Sequence, residues 1–157
     1  MKKFVILFIA LFCTLGASAQ LNKKEKSFLN NLMLFVTKEG YRPEIDRDED
    51  LSFKKEGMLY WIRVREEEEG YFYVTINQSP VDCEDADITA VRRAVNEVTK
   101  SYKVGKAYYS EVNNDVPISI EGFYKNVGDF TQYFGRYMNI LQNMDEDIKE
   151  NYDKFKD

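Results

Sequence analysis

The residues best suited to chemistry are three aspartates at alternate positions, Asp46, Asp48 and Asp50. Alternate carboxylates can converge on calcium, as they do at the start of an EF-hand loop. The rest of that loop does not follow, because Leu51 stands where the sharp turn needs glycine and Gly57 stands where a bidentate glutamate is needed. The triplet therefore predicts a solvated acidic turn, with a weak metal site as the alternative.

Two other features could in principle support catalysis: the glutamate run 66–69 and the thiol of Cys83. Carboxylate catalysis needs partners on rigid elements with one pKa raised by burial, whereas a glutamate run at a hairpin tip is typical of solvated charge. A helix N-terminus after Cys83 would favour its thiolate, but the neighbouring Asp82 and Glu84 oppose this. We expect neither feature to be catalytic.

The composition excludes several classes of activity. The 157 residues contain no histidine, so there is no Ser-His-Asp or Cys-His pair and no HExxH zinc motif. The formal charge of −5 argues against a nucleic-acid-binding protein, which normally carries a basic patch. We therefore expect a protein that is not an enzyme, requires no cofactor and binds no nucleic acid.

One face of the predicted sheet combines aromatic and arginine side chains. If Met58, Tyr60 and Ile62 point to the core, their neighbours along the same strand point away, because strand side chains alternate. This second face is predicted to carry Leu59, Trp61, Arg63, Arg65, Tyr71 and Tyr73. Such a composition is typical of an interface core, and the six residues are the candidate binding site. The alternative is that the long C-terminal helix buries this face.

Hydrophobic periodicity and turn residues predict the elements that would position this face. The expected helices are 22–39, 84–102 and 126–155, the first capped by Asn22 with Glu25 three residues on. The expected strands are 51–55, 58–65, 71–77, 106–112 and 117–123. The order α-β-β-β-α-β-β-α predicts an α+β domain, with an antiparallel five-stranded sheet, flanking helices and a long C-terminal helix.

The first residues resemble an export signal. Lys2 and Lys3 precede an apolar run over 4–15, and Ala17-Ser18-Ala19 supplies small residues before a cut at Gln20. We predict a signal peptide over 1–19 and a single domain over 20–157, exported to the periplasm or secreted. No later stretch has the roughly 18 apolar residues of a spanning helix, so no transmembrane segment is expected after cleavage.

The stretches 38–46, 51–54 and 56–62 together resemble the opening of YbjN-type domains. They read KEGYRPEID, LSFK and EGMLYWI, with a Gly-Tyr turn, an acidic reversal and an entry into strands. YbjN-type domains share the fold of type III secretion chaperones. The resemblance implies a non-enzymatic domain that dimerises or binds a polypeptide.

Two kinds of function are consistent with these features. The first is an exported, non-catalytic adaptor domain that binds a protein or peptide and is able to form a homodimer. The alternative is a small-ligand module, in which the same aromatic residues stack on a sugar or an apolar ligand. An enzyme that uses Asp46, Asp48 and Asp50 or the glutamate run with a metal is the third and weakest hypothesis.

Overall fold

The computed structural model describes residues 21–156, and the predicted signal peptide, 1–19, lies outside the described residues. The helices are α1 (Lys23–Lys38), α2 (Ile88–Ser101), α3 (Val127–Thr131) and α4 (Phe134–Phe155). The strands are β1 (Glu44–Ile45), β2 (Leu51–Lys55), β3 (Met58–Glu66), β4 (Phe72–Asp82), β5 (Gly105–Ala107) and β6 (Asp115–Tyr124). A short 3-10 turn, Glu68–Gly70, joins β3 to β4.

The strands form one antiparallel sheet in the order β1-β2-β3-β4-β6-β5. Helix α1 packs against β3, α4 packs against β4, β5 and β6, and α2 packs against α4. The core lies between these helices and alternate residues of the central strands, namely Leu51, Phe53, Tyr60, Ile62, Val64, Val74, Ile76, Ile118 and Ile120. The predicted α+β class, antiparallel sheet and long C-terminal helix are confirmed.

The prediction of five strands is wrong, because the sheet has six strands within residues 21–156. Glu44 and Ile45 pair with Ser52 and Leu51 and add an edge strand. A two-residue strand directly after Pro43 shows no measurable alternation, so the pattern could not reveal it. The observed order is α-β-β-β-β-α-β-β-α-α and replaces the predicted one.

Strand β4 continues past Pro80, although the predicted strand ends at residue 77. The register between β4 and β6 shifts between Gln78 and Val81, which is a β-bulge. Proline lacks the backbone N–H that a regular ladder needs, and a bulge is one of the places where a strand accepts it. The strand therefore reaches Asp82 and is five residues longer than predicted at this end.

Helix α2 begins at Ile88 and not at 84, since the carboxylate of Asp87 accepts the backbone N–H groups of Thr89 and Ala90. An aspartate in this position caps a helix and marks its first residue. Glu84 therefore lies in the preceding turn and not in the helix.

The predicted last strands and final helix also have different bounds. Strand β5 is only Gly105–Ala107, and β6 begins earlier than expected, at Asp115. The final helix is divided at Tyr133, whose N–H donates to the carbonyl of Phe130 in a tighter turn. The apolar repeat runs on across this break, so periodicity alone predicted one helix.

Helix α1 is tied to the sheet through its cap. The Asn22 side chain accepts from the N–H groups of Lys24 and Glu25, and the Glu25 carboxylate accepts the Asn22 N–H at 2.7 Å, so the predicted capping box is confirmed. The other oxygen of the buried Glu25 accepts the N–H of Glu66, also at 2.7 Å. One carboxylate therefore fixes the start of α1 against the end of β3.

Gln78 is a polar residue on the core side of β4. It is 1% exposed, it lies between Tyr60 and Ile118 in the sheet, and its amide has no hydrogen-bond partner among the described residues. Burial of an unpaired amide costs about 1–3 kcal/mol. We expect Gln78→Leu to raise the free energy of unfolding by about 1 kcal/mol in urea denaturation, because it removes that cost.

The same substitution at Gln132, which is exposed, is the matched control and should change the free energy of unfolding by less than about 0.5 kcal/mol. A Gln78→Leu protein that is less stable than the wild type would contradict this account and would indicate that the amide is hydrogen-bonded to buried water.

Candidate functional site: the open face of the sheet

The side of the sheet opposite to the helices is called the open face here. Because every helix of residues 21–156 that contacts the sheet lies on the core side, none of them covers it. The alternative in which the C-terminal helix buries this face is therefore wrong, since α4 packs on the core side. The open face is formed by Ser52, Lys54, Leu59, Trp61, Arg63, Arg65, Tyr73, Thr75, Asn77, Lys106, Ser119, Glu121 and Phe123.

Cross-strand pairing arranges the centre of the open face in rows. Each row has one residue from β3, one from β4 and one from β6: the Trp61 row (Trp61, Asn77, Ser119), the Arg63 row (Arg63, Thr75, Glu121) and the Arg65 row (Arg65, Tyr73, Phe123). Strand β3 therefore contributes Trp61 and both arginines, as the alternation predicts. The aromatic and cationic groups are held on neighbouring, rigid strands.

The guanidinium of Arg63 is bound to a buried carboxylate at the start of β2. Its Nε and Nη2 donate to Oδ2 of Asp50 at 3.1 and 2.8 Å. Asp50 is 2% exposed, whereas the side chain of Arg63 is 48% exposed. Arg63 therefore neutralises a buried charge with one side and offers its other side to the open face.

A second polar network lies on β4, β5 and β6. The Tyr73 hydroxyl donates to Glu121 at 2.6 Å, and Lys106 and Ser119 each donate to the other carboxylate oxygen at 3.3 Å. The bond from Tyr73 holds the pKa of Glu121 below its usual value, and the same bond raises the pKa of Tyr73. Glu121 is therefore a fixed negative charge on the open face.

Phe123 is the most exposed aromatic side chain of the open face, at 63%. Its ring lies 5.3 Å from that of Tyr73. The candidate site derived from the sequence did not include it, although a signal was present. Ile118 and Ile120 point to the core, so the odd-numbered residues of β6 had to point away.

Tyr71, which the sequence places in a strand, precedes β4 and lies at a corner of the open face. Its ring faces the Lys125 ammonium at 5.1 Å. Together with Phe123 and the glutamates 67–69 it lines an open cleft of about 390 Å³. This corner combines aromatic and acidic groups and adjoins the Arg65 row of the open face.

The acidic turn is held by its own hydrogen bonds. Asp46 accepts the backbone N–H groups of Asp48 and Asp50 at 2.9 and 3.0 Å, and Asp50 is bound to Arg63. Within residues 21–156, no group of three or more acidic or cysteine residues is placed to hold a metal ion. In the glutamate run, Glu66 accepts from Lys24 at 2.5 Å, and the other three are exposed.

Cys83 lies apart from the open face, beside an apolar cavity of about 60 Å³ between β4 and α4. Burial and the charge of Asp82 raise the pKa of its thiol. The thiolate, which is the reactive form, is thus disfavoured here.

No protein-family model, curated protein or solved structure matches this chain. The resemblance to YbjN-type domains therefore stays a prediction. In the described part of the chain, no helix has both the length and the apolar character that a membrane crossing needs.

Proposed function

We propose that this chain is a non-catalytic protein-binding domain and that the open face is its contact surface. The observation that carries the proposal is that the exposed Phe123 and Arg63 share one uncovered sheet face with the half-buried Trp61 and Arg65. Aromatic residues and arginine are the residue types that contribute most of the binding energy in protein interfaces.

The sheet favours binding for a second reason. Its contact residues stand on hydrogen-bonded strands, so little backbone entropy is lost when a partner packs on them. Removal of apolar surface from water contributes about 25 cal/mol per Å² of area buried. Phe123 and Leu59 expose such surface in the unbound domain.

A small-ligand module is less well supported. Such a site needs a concave pocket that encloses most of the ligand. The cleft beside Tyr71 and Phe123 is open, and Trp61 is two rows away from it. The centre of the open face is built from three neighbouring strands and suits a partner that packs across them. The pattern of residues 1–19 supports the further proposal that the domain acts after export.

Site-specific photocrosslinking tests this function. With p-benzoylphenylalanine in place of Phe123, irradiation of the cells that make the protein should yield a discrete adduct with a polypeptide, because the ring is at the contact surface. The adduct is detected as a band of higher mass on a denaturing gel.

The matched control carries the same amino acid in place of Val112, which is 94% exposed on the connection between β5 and β6. It should give no discrete adduct. Absence of an adduct at position 123, or equal adducts at both positions, would contradict the proposal. A sugar or lipid panel that shifts the fluorescence of Trp61 would instead favour the small-ligand module.

A further inference from the structure

We propose that a second copy of this chain binds the open face, with a two-fold axis that runs along β4 between the two sheets. The inference rests on the proposed function and names the partner for the same surface. The observation that carries it is that the side chains of β3, on one side of β4, complement those of β6, on the other side, in charge, size and aromatic character.

The charges along the Arg63 row change sign when the row is reversed. From β3 to β6 the order is Arg63 positive, Thr75 neutral and Glu121 negative. On the outer sides, the buried Asp50 binds Arg63, and the Lys106 ammonium, which stands one row away on β5, is 3.3 Å from Glu121. A two-fold rotation about β4 reverses this order in the second copy. Each Arg63 then faces Glu121 of the second copy, and unlike charges meet along the row.

The same rotation matches the other two rows. In the Trp61 row it places the large Trp61 side chain opposite the small, 7% exposed Ser119. In the Arg65 row it places Arg65 opposite the exposed ring of Phe123, an arrangement suited to a cation–π contact. Each of these contacts occurs twice, because a two-fold interface uses the same surface on both copies.

A two-fold axis perpendicular to the strands does not bring unlike charges together. An axis that crosses the strands at Thr75 would place Arg63 against Arg63 and Glu121 against Glu121. Like charges in direct opposition across an interface cost several kcal/mol. The distribution of charge therefore selects the axis along β4.

The size of the open face is sufficient for a specific dimer. Five strands about 4.8 Å apart, with on average about seven residues per strand at about 3.4 Å, give an area of about 600 Å² per copy. Two copies would bury about 1,200 Å², the lower limit for stable specific interfaces. Packed sheets cross at about 30°, so the axis would lie about 15° from β4.

The test changes the charge at each of the two residues that meet across the interface, Phe123 and Arg65. In Phe123→Lys the introduced lysine faces Arg65 of the second copy twice, so the dissociation constant of the dimer should rise by about 100-fold or more. In Arg65→Glu the introduced glutamate faces Phe123, which weakens the dimer less. An equimolar mixture of the two variants should restore a dimer with one copy of each. In that dimer the introduced lysine faces the introduced glutamate in one contact, and Arg65 faces Phe123 in the other.

Sedimentation equilibrium of the purified protein and its variants gives the mass, and circular dichroism checks that each variant is folded. Position 123 is suitable because its side chain is mostly exposed, whereas reversal of Arg63 would also disturb the buried Asp50. Val112→Lys adds the same charge away from the open face and should leave the dimer intact.

A wild-type protein with the mass of one chain at the highest concentration it tolerates would overturn the proposal. So would a dimer that Phe123→Lys does not weaken or that mixing does not restore. A photocrosslinked adduct at position 123 with another polypeptide, together with a monomeric protein, would overturn the dimer and leave the protein-binding function standing. If the protein is a monomer and no adduct forms at position 123, the dimer and the protein-binding function are both overturned.

Discussion

Replacement of Arg63 by alanine is expected to lower the free energy of unfolding by about 3 kcal/mol. Arg65→Ala, two residues further along the same strand and face, should change it by less than about 0.5 kcal/mol. The difference is due to Asp50, whose buried carboxylate has two hydrogen bonds from Arg63 at 3.1 and 2.8 Å. The only side-chain bond of Arg65 in the described residues is to the adjacent carbonyl of Val64.

The loss of one partner from a buried ion pair is costly, because the other charge stays in a medium that solvates it poorly. The cost should lie near the lower end of the usual range, since Arg63 is half exposed and its removal lets water approach Asp50. Chemical denaturation of both variants measures the difference. If Arg63→Ala were as stable as Arg65→Ala, the pair would contribute nothing to folding.

A double variant separates the cost of leaving Asp50 unpaired from the cost of losing the Arg63 side chain. Asp50→Asn combined with Arg63→Ala leaves no unpaired charge, so it should be more stable than Arg63→Ala alone. A double variant of equal or lower stability would mean that Asp50 is tolerated without its partner. The comparison also matters for function, since an Arg63 variant that loses binding could do so through loss of stability. Phe123 is 63% exposed, so its replacement should cost little stability.

The strands at the centre of the site could be predicted from the sequence, because their alternation is regular. Strand β2 was predicted with its observed bounds, and the division of β3 into a core face and an open face follows from Tyr60, Ile62 and Val64. Glu56-Gly57 and Gly70 mark the turns that set this register, and both glycines have positive φ.

The remaining parts of the fold depend on contacts that are distant in sequence. Strand β1 exists because the acidic turn folds back on β2, and the bulge at Pro80 depends on pairing with β6. The bond between Asp50 and Arg63 is likewise set by the register of β2 on β3, so neither charge alone predicts it. The candidate site was therefore predictable as a face, but its charge pairs were not.

Alkaline pH should destabilise the protein through two tyrosines on the core side of the sheet, the buried Tyr60 and the half-buried Tyr124. The ring of Tyr60 is buried and stacks on Phe53 with ring centres 5.6 Å apart. Burial is the main cause that raises the pKa of Tyr60 to about 12, and the charge of Asp145 adds to it. Burial and a hydrogen bond with Tyr137 also raise the pKa of Tyr124.

The sign of the effect follows from proton linkage. Below pH 10 both the folded and the unfolded chain keep these hydroxyl protons, and the stabilisation is fully present. Above pH 10 the unfolded chain loses them while the folded chain keeps them, so the free energy of unfolding falls by about 1.4 kcal/mol per pH unit for each such tyrosine. For Tyr60 this loss continues to the folded pKa of about 12.

Urea denaturation at a series of pH values should therefore show a fall of roughly 3 kcal/mol between about pH 9 and pH 11. Tyr60→Phe removes one of the titrating groups, so its slope above pH 10 should be shallower than that of the wild type. Tyr108→Phe removes a tyrosine whose ring is more than half exposed, and its slope should equal that of the wild type. Equal slopes for all three proteins would mean that Tyr60 ionises as readily in the folded chain as in the unfolded one, and that burial on the core side of β3 does not protect it.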